Sequence, residues 1–446
     1  MTYNEAKNLL ENNRQGHVLA FWSQLDSSTQ SALLEQISTL DFTAIQRMQA
    51  MLKSAGTATV NALPFEPAPV EEPKGDMLAT YTLKGEELLR AGKVAVLLVA
   101  GGQGTRLGYD GPKGSYPIGP ITGASLFYFH ARKILGLNRT YQTRVPFYIM
   151  TSETNDATTR DFFAQNDFFG LPKEDVFFFI QGMWPALDPE GRIILDQKGH
   201  IFMSPDGHGG TLAALDRSGA LADMSKRGIE QIFFFQVDNP MVAIADPTFI
   251  GLHASKQADM TLKVCRKREA HEGMGVVVVR DGHYAMVEYS ELSNEQMERT
   301  NPDGSLWLNY GSPAIHLFSI DFLRSEATRH MPLHLAHKKI TMVNPAGETV
   351  KPDKPNGYKF EKFIFDVIPN AQTLINLAFD RSQEFSPVKN AEGSDSPKTA
   401  QYDLQAKWRN WLKQIDVAFP EELPLEIDPA YALSANQLKA KGFRIG

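Results

Sequence analysis

The chain has 446 residues, more than one ordinary domain needs, and its 42% hydrophobic and 22% charged residues are typical of a globular protein with a sizeable core. Its net charge of −7 argues against general binding to nucleic acid, and Cys265, the only cysteine, excludes an internal disulfide and suits a reducing cytoplasm. Because the N-terminus lacks the pattern of a signal peptide and no run of about 18 apolar residues occurs, we expect a cytoplasmic protein without membrane partners.

The first part of the chain has a helical pattern. Apolar residues recur at helical spacing from residue 1 to about residue 60, and four prolines then fall between Ala62 and Lys74. The prolines predict an extended segment rather than a further helix. We therefore expect residues 1–91 to form a small helical region with a linker and no chemistry of its own.

From residue 92 the pattern alternates between apolar runs and helical segments. Strands are predicted at Val94–Ala100, Phe147–Thr151, Val176–Gln181 and Ile232–Val237, with helices near Ala124–Leu135 and Leu212–Arg227. This alternation predicts an α/β fold with a parallel sheet and helices on both of its faces. Ligands of such sheets bind at the carboxyl ends of the strands, so the segments after these strands should lie along one edge.

The remaining segments give a less regular pattern. Three runs, Met260–Val264, Gly275–Arg280 and Tyr284–Tyr289, are typical of a β-meander, whereas Glu361–Phe379 has apolar residues at helical spacing broken by Pro369. A polar stretch from 389 to 398 predicts an exposed loop, and a helix is expected near Tyr402–Ile415. We predict a catalytic domain at 92–384 and a C-terminal region at 385–446.

A glycine-rich loop follows the first predicted strand. Four glycines occur among Gly101–Gly108, and they leave backbone N–H groups free to turn toward an anion. Leu107 breaks the dinucleotide fingerprint and Pro112 interrupts the P-loop pattern, so neither motif is present. A purely structural turn is the alternative, but the positive charges of Arg106 and Lys113 favour a nucleoside triphosphate site.

Three further features could carry chemistry. A second glycine-rich loop, Pro205–Thr211, precedes a predicted helix and could bind a base, a ribose or a phosphate there, although a plain loop is the alternative. Asp238 ends an apolar strand, where a carboxylate suits Mg²⁺ and substrate phosphates; the alternative is a turn cap. Lys389 lies in a loop and is either a phosphate ligand or a solvated surface charge.

Eight motifs in one order make the interpretation specific. They are Gly101-Gly-Gln-Gly-Thr-Arg-Leu-Gly with Pro112-Lys-Gly, Gln181-Gly-Met, Pro205-Asp-Gly-His-Gly-Gly, Val237-Asp-Asn, Val287-Glu-Tyr-Ser-Glu, Pro355-Asn-Gly, Phe360-Glu-Lys-Phe-Ile-Phe-Asp and Glu384-Phe-Ser-Pro-Val-Lys-Asn. With them the chain resembles the eukaryotic-type UDP-N-acetylglucosamine pyrophosphorylases of the UDP-sugar pyrophosphorylase superfamily. The resemblance extends from about residue 92 to about residue 400.

The resemblance implies a Rossmann-like nucleotidyltransferase core that joins UTP and an N-acetylhexosamine 1-phosphate into a UDP-sugar and pyrophosphate, with Mg²⁺ or Mn²⁺. The sugar phosphate would attack the α-phosphorus directly, so no covalent intermediate is expected. The residues implied at the phosphates are Arg106, Lys113, Asp238 (also the metal ligand) and Lys389; those at the nucleotide are Gly101, Gly102, Gln181, Gly207 and His208; those at the sugar are Gly275, Glu288, Asn309, Phe363 and Phe365.

Two departures bear on sugar preference. His208 stands where the family usually has asparagine, and Asn309 is followed by Tyr-Gly-Ser instead of Ala-Gly-Asn. A uridylyltransferase for glucose or galactose 1-phosphate therefore remains an alternative, and so does the choice between N-acetylglucosamine and N-acetylgalactosamine. An apolar wall of Phe363 and Phe365 would suit an N-acetyl methyl group, but on a helix the two would diverge and at least one could be core. A non-catalytic nucleotide-sugar sensor is disfavoured because the phosphate-site cations are present.

Overall fold

The computed structural model describes residues 1–54 and 64–443. The end of the predicted helical pattern, 55–60, and the predicted linker residues Ala62 and Leu63 lie outside the described residues. Backbone contacts divide the described chain into a larger unit, residues 64–181, 211–329 and 367–443, and a smaller unit, residues 1–54, 182–210 and 330–366. The predicted boundaries 1–91, 92–384 and 385–446 differ from this division and stay a prediction.

A seven-stranded sheet forms the centre of the larger unit. Its strands are β1 (Val94–Val99), β2 (Phe147–Thr151), β3 (Val176–Ile180), β4 (Gln231–Gln236), β5 (Met260–Arg266), β6 (Tyr310–Ser319) and β7 (Leu374–Ala378), in the spatial order β7-β5-β6-β4-β1-β2-β3. Only β6 is antiparallel to its neighbours in this sheet. The predicted α/β class and mostly parallel sheet are confirmed.

The buried strands explain the position of the sheet. The first five residues of β1 are buried, as expected for a parallel strand covered on both faces. β1 pairs in parallel with β2 at Val96↔Phe147 and with β4 at Val96↔Phe233. Because β1, β2, β3 and β4 all run in one direction, the residues that follow them share one edge of the sheet. This edge carries the predicted nucleotide and phosphate residues of the larger unit.

Helices surround the sheet in the larger unit. They are Gly75–Arg90, Leu126–Tyr141, Asp156–Gln165, Thr211–Arg217, Ala220–Lys226, Pro247–Ser255, Asn294–Glu298, Ile320–Ala327, Arg381–Glu384, Pro397–Gln414 and Ala435–Ala440. The single helix predicted at Leu212–Arg227 is two helices, because Gly219 adopts a left-handed conformation (φ 78°) between them. Short 3₁₀ turns occur at Thr105–Leu107, Lys113–Ser115, Asp167–Gly170, Lys173–Asp175, Tyr289–Glu291 and Ile364–Asn370.

The predicted meander is only partly right. Val276–Arg280 and His283–Val287 form an antiparallel hairpin, with Glu66–Pro67 paired to its first strand. The third expected member, Met260–Val264, belongs instead to β5 of the central sheet. Its side chains are buried on both faces, which suits an interior strand better than an exposed meander.

The helix expected at Glu361–Phe379 was wrong. The segment begins at the end of the strand Gly357–Glu361, continues through the 3₁₀ turn Ile364–Asn370 and finishes in β7. Pro369 lacks an N–H group and cannot continue a helix, and the apolar run after it pairs with β5. Short apolar runs do not distinguish a strand from a helix by spacing alone.

The smaller unit combines three helices with four two-stranded sheets. The helices are Tyr3–Asn12, Ser27–Thr39 and Phe42–Ser54, with 3₁₀ turns at Gly16–Leu19, Trp22–Gln24 and His208–Gly210. The strand pairs are Met183–Pro185 with Met203–Pro205, Leu195–Gln197 with His200–Ile201, His334–Lys338 with Gly357–Glu361, and Met342–Val343 with Thr349–Val350. The helical prediction is confirmed for residues 1–54.

Apolar packing holds this unit together. Leu10, Leu33, Ile37 and Met48 of the helices pack in one cluster with Phe360 of a strand, and each of these residues is fully buried. Thr2 begins the first helix with a capping box, in which its hydroxyl accepts from the Glu5 backbone N–H. Across residues 1–54 and 64–443, the helices are too short or too polar for any of them to span a membrane.

Candidate active site

The glycine-rich loop leaves β1 at the carboxyl edge of the sheet. Its shape depends on Asn155, whose side-chain amide donates to the carbonyls of Ala100 (3.0 Å) and Gly102 (3.3 Å). The loop closes on itself, because the Gly104 N–H donates to the Gly111 carbonyl at 2.9 Å and the Lys113 N–H to the Gly102 carbonyl at 3.0 Å. The backbone of the loop is therefore fixed before any ligand binds.

Gly101 and Gln181 lie against each other. A Cβ atom on Gly101 would come within 2.7 Å of the Gln181 amide nitrogen, so a larger residue would displace that side chain. Gln181 follows β3, is 8% exposed, and its backbone N–H donates to Thr151 of β2. By contrast, a Cβ on Gly102 would meet no atom within 4 Å, and this residue is exposed. The sequence prediction placed all three at the nucleotide, and the structure brings Gly101 and Gln181 into contact.

Lys113 and Asp238 form an ion pair at the same edge. Lys113 Nζ lies 3.3 Å from Asp238 Oδ2, and the two side chains are only 18% and 14% exposed. Lys113 begins a short 3₁₀ turn after the loop, and Gly114 beside it packs so closely on Phe127 that a Cβ would come within 2.1 Å of the ring. Asp238 comes just after β4. The pair is thus held by rigid elements, mostly shielded from water, and still open to a substrate.

The loop that carries Lys389 is bonded to the backbone of Asp238. The Val388 N–H donates to the Asp238 carbonyl at 2.8 Å, and the Lys389 N–H donates to the Asp395 carbonyl at 2.7 Å. Lys389 Nζ lies over the Phe385 ring, 5.9 Å from its centroid, in a cation–π contact. The sequence could not predict that this loop lies next to Asp238, because about 150 residues separate the two in the chain.

Arg106 is exposed on the 3₁₀ turn Thr105–Leu107. Within residues 1–54 and 64–443 it forms no ion pair, whereas Lys113 is already paired with Asp238. An arginine in this state keeps its planar guanidinium available for a phosphate. The structure does not bring Arg106 into contact with the Lys113–Asp238 pair.

The three predicted sugar residues of the larger unit occupy the hairpin and the start of β6. A Cβ on Gly275 would come within 2.8 Å of the Glu288 carboxylate, so the glycine admits that side chain. The Glu288 N–H donates to the Glu291 carboxylate at 2.8 Å in a capping box. Asn309 precedes β6, and its carbonyl accepts from the Lys267 N–H at 2.9 Å. The structure therefore brings Gly275 and Glu288 together.

In the smaller unit, His208 and two phenylalanines form an aromatic cluster. The His208 ring stacks on Phe363 with centroids 5.4 Å apart, and the Phe365 ring lies 5.6 Å away. Both phenylalanines are partly exposed and neither belongs to a regular α-helix, so the helix-core alternative is not observed. Gly207 has φ 82°, and a Cβ there would come within 2.4 Å of the Lys362 carbonyl. This glycine allows the second loop to approach the strand segment that carries Phe363.

Two residues of this cluster were not predicted from the sequence. His334 stacks on Phe363 with centroids 4.1 Å apart, and its Nε2 lies 2.9 Å from an Asp366 carboxylate oxygen. The same oxygen, Asp366 Oδ2, also accepts from the Phe363 N–H at 3.1 Å. Asp366 could have been found from the sequence, because it is the last residue of the motif Phe360–Asp366. His334 belongs to no motif, so nothing in the sequence pointed to it.

His208 is neutral in the folded protein. Its pKa is lowered to about 4; burial is the largest cause, Asp366 opposes the shift, and His334 adds to it. The Ile364 N–H donates to Nδ1 at 3.0 Å, so the hydrogen of the neutral ring resides on Nε2. The neutral ring therefore carries its N–H group at Nε2 and accepts through Nδ1.

The depressed pKa predicts an acid-dependent loss of stability. Unfolded His208 has a pKa of about 6.5, so it takes up a proton as the pH falls from 6.5 to about 4 while the folded form does not. The His208→Asn variant lacks this linkage, and the wild type should lose more unfolding free energy between pH 8 and pH 5. Urea unfolding at both values measures the difference. Equal losses in the two proteins would contradict the neutral assignment.

The residues present fit a magnesium ion that arrives with a triphosphate. In the described part of the chain, no three histidine, cysteine, aspartate or glutamate side chains converge into a metal cage. Asp238 offers a carboxylate at the strand edge, with one oxygen already bonded to Lys113. Mg²⁺ commonly takes one or two carboxylates and completes its shell with water and substrate phosphates.

Comparison with known proteins identifies similar chains. The sequence profile of a family described as UTP–glucose-1-phosphate uridylyltransferase matches residues 45–414. The UDP-N-acetylhexosamine pyrophosphorylase-like protein 1 of Homo sapiens is 37% identical over 91% of this chain and 84% of its own length. The UDP-N-acetylglucosamine pyrophosphorylase of Saccharomyces cerevisiae is 34% identical over 98% of this chain and 98% of its own length.

Solved structures show the same similarity. The UDP-N-acetylglucosamine pyrophosphorylase of Trypanosoma brucei, in complex with an inhibitor, superposes with a TM-score of 0.84 at 27% identity, covering 98% of this chain and 94% of that one. A protein from Entamoeba histolytica, solved under the name of the same enzyme, gives a TM-score of 0.79 at 30% identity over 84% of this chain and 97% of its own. The similarity in sequence and in fold therefore extends over most of the chain.

Proposed function

The chain belongs to the UTP–glucose-1-phosphate uridylyltransferase family, with the UDP-N-acetylglucosamine pyrophosphorylases among its relatives, and we propose that it transfers the uridylyl group of UTP to an N-acetylhexosamine 1-phosphate. The products are a UDP-N-acetylhexosamine and pyrophosphate. The observation that carries the proposal is the Lys113–Asp238 ion pair beside the glycine-rich loop. It supplies a cation and a metal ligand at the edge where nucleotide phosphates bind in sheets of this kind.

The nucleotide is held by the loop and by Gln181. The uracil ring would lie against Gly101 and Gln181, which approach each other so closely that Gly101 has no room for a side chain. Exposed Gly102 adds backbone without a side chain. The resemblance in sequence also assigns His208 and Gly207 to the nucleotide, and for these two residues of the smaller unit the proposal rests on that resemblance.

The chain's cations reduce the electrostatic repulsion between the two phosphate substrates, which is the main obstacle to the reaction. Lys113, Arg106 and Lys389 neutralise negative charge, and they stabilise the additional charge on the α-phosphoryl oxygens as the new bond forms. The sugar phosphate is already an anion, so it attacks without a general base. Alignment of the attacking oxygen, the phosphorus and the leaving pyrophosphate supplies much of the remaining acceleration.

Asp238 would hold Mg²⁺, or Mn²⁺, together with the phosphates. Bound there, the ion would supply Lewis-acid stabilisation of phosphate charge. Asp238 itself keeps Lys113 oriented toward the phosphates, because their side chains lie 3.3 Å apart. Both roles need the carboxylate in its ionised form.

The aromatic cluster favours an N-acetylated sugar over a plain hexose. Phe363 and Phe365 offer partly exposed apolar surface, which binds a methyl group and gains nothing from a hydroxyl. Asp366 fixes the backbone of Phe363, and His334 stacks on its ring, so this surface is preorganised. Glu288, beside Gly275, and Asn309 provide polar groups for the sugar hydroxyls.

Pyrophosphate release from UTP and a panel of sugar phosphates tests the proposal. We expect kcat/KM for N-acetylglucosamine or N-acetylgalactosamine 1-phosphate to exceed that for glucose 1-phosphate by about 10- to 200-fold. Phe363→Ala should lower the rate with the N-acetylated sugar phosphates and leave the rate with glucose 1-phosphate nearly unchanged. The glucose 1-phosphate rate of each protein therefore serves as the control. Preference for glucose or galactose 1-phosphate would favour the alternative activity, and no release from any sugar would favour a non-catalytic sensor.

The cytoplasmic location expected from the single cysteine stays a proposal. Cys265 is buried, and burial raises the pKa of its thiol to about 12, so it is not a reactive thiolate. Fractionation of the cells that make the protein would test the location.

A further inference from the structure

One lysine of the central sheet is fully buried and charged. Lys263 of β5 is 1% exposed, and its Nζ lies 2.8 Å from Asp246 Oδ2 and 2.7 and 2.6 Å from the two oxygens of Glu384. Burial by itself lowers the pKa of Lys263, but Asp246 and Glu384 outweigh it and raise that pKa above the usual value. A charge in this position is costly unless it is paired, so the two carboxylates are needed there.

The two carboxylates belong to the segments that carry Asp238 and Lys389. Asp246 follows Asp238 by eight residues and caps the helix Pro247–Ser255 by accepting from the Thr248 N–H. Glu384 ends the short helix Arg381–Glu384, five residues before Lys389. Lys263 thus joins the start of one phosphate-site segment to the end of the other.

Hydrogen bonds continue from Glu384 to the active-site pair. The Asn239 amide donates to the Glu384 carbonyl at 2.7 Å, and the Ser386 N–H donates to Asn239 Oδ1 at 3.2 Å. The Val388 N–H then donates to the Asp238 carbonyl at 2.8 Å. A continuous series of hydrogen bonds therefore links Lys263 to the segments that bear the residues proposed to contact the phosphates.

Two more lysines reinforce the same arrangement. Lys133 donates to the Val242 carbonyl at 2.8 Å, and Lys407 donates to the Met241 carbonyl at 3.3 Å and also to the Gln383 carbonyl. These bonds hold backbone, whereas Lys263 Nζ bonds both the Asp246 and the Glu384 carboxylates directly. Lys263 is therefore the group that ties these two carboxylates to each other.

We propose that Lys263 is a positioning residue for uridylyl transfer, which fixes the segment bearing Lys389 against the segment bearing Asp238. The proposal rests on the proposed function, because it assumes that these two side chains act on the same phosphates. Lys263 does not itself contact substrate. It acts through Glu384 and Asn239.

Lys263→Met tests the proposal. Without the ammonium, the Asp246 and Glu384 carboxylates lose the hydrogen-bond donor that they share, and the segment bearing Lys389 shifts. We expect kcat to fall by about 10- to 100-fold, while KM for UTP changes by less than about threefold because Gly101 and Gln181 are untouched. Steady-state rates of pyrophosphate release give both values.

Arg227→Met is the matched control. Arg227 pairs with Asp175 at 3.0 Å, and Asp175 precedes β3, so this ion pair lies at the amino edge of the sheet, away from the proposed site. We expect Arg227→Met to lower the melting temperature and to leave kcat within about twofold of wild type. If it loses as much activity as Lys263→Met at an equal loss of melting temperature, Lys263 is merely structural and the positioning role is overturned.

Glu384→Gln covers the case in which Lys263→Met does not fold. The amide keeps the size of the side chain and removes its charge, so we expect a folded protein with reduced kcat and unchanged KM for UTP. Wild-type kcat in either folded variant overturns the positioning role and leaves the proposed function intact. A wild-type protein that releases no pyrophosphate from any sugar phosphate overturns both.

Discussion

Replacement of Lys113 by alanine is expected to lower kcat/KM for UTP by about 10²- to 10³-fold, the usual effect of removing one donor to transition-state charge. The lysine is held by its 3.3 Å ion pair with Asp238 and is mostly shielded from water, so little solvent screens its attraction to a bound phosphate. Pyrophosphate release at varied UTP and fixed sugar phosphate measures the loss. The fold should be retained, because the side chain is not part of the apolar core.

Lys93→Ala is the control for this prediction. Lys93 immediately precedes β1, at the opposite edge of the sheet, and its 2.9 Å ion pair with Glu230 is largely exposed. Such a surface pair contributes about 0–1 kcal/mol to stability and nothing to a site at the other edge. We expect wild-type kcat/KM in Lys93→Ala. Near-normal turnover in Lys113→Ala would contradict the assignment of Lys113 to the phosphates.

The sequence was sufficient to predict the nucleotide edge because its signals are local. An apolar run that stops at glycines marks both the strand and the loop after it, and Val94–Val99 was confirmed as β1. The strands that precede Gln181 and Asp238 were recognised in the same way. Once the strands are parallel, their carboxyl ends must share an edge, and no knowledge of tertiary contacts was needed.

The aromatic cluster could not be assembled from the sequence. His208 and Phe363 are far apart in the chain, and His334 comes from a strand that pairs with Gly357–Glu361. Apolar spacing between Glu361 and Phe379 favoured a helix, and the tertiary pairing of β7 overrode that preference. The roles of the two phenylalanines stay a prediction for the same reason, since they depend on a bound sugar.

A buried charge left a signal that the sequence reading did not use. Lys263 lies in the mostly apolar segment Met260–Cys265, and a lysine inside such a segment is rarely buried without a partner. The partners could not be identified in advance, because Asp246 and Glu384 are separated from it by 17 and 121 residues. Only the fold determines which carboxylates it meets.

Asp238→Asn should be at least as damaging as the loss of Lys113, with kcat/KM lowered by about 10³-fold. Asparagine preserves the size of the side chain and the backbone carbonyl that accepts from Val388, so the Lys389 loop stays in place. What is lost is the negative charge that orients Lys113 and that would bind Mg²⁺. Chelation should abolish wild-type activity, added Mg²⁺ should restore it, and the variant should need a higher Mg²⁺ concentration.

Asp223→Asn provides the matched control, because Asp223 bonds the Tyr148 hydroxyl and Arg227 at the other edge of the sheet. Its kcat/KM and its Mg²⁺ dependence should equal those of the wild type.

A double variant, Lys113→Ala with Asp238→Asn, tests whether the two residues act together. Its fold-loss in kcat/KM should fall well short of the product of the two single fold-losses, since each partner acts partly through the other. Fully multiplicative losses, or an unchanged Mg²⁺ requirement in Asp238→Asn, would mean that Asp238 neither orients Lys113 nor binds the metal.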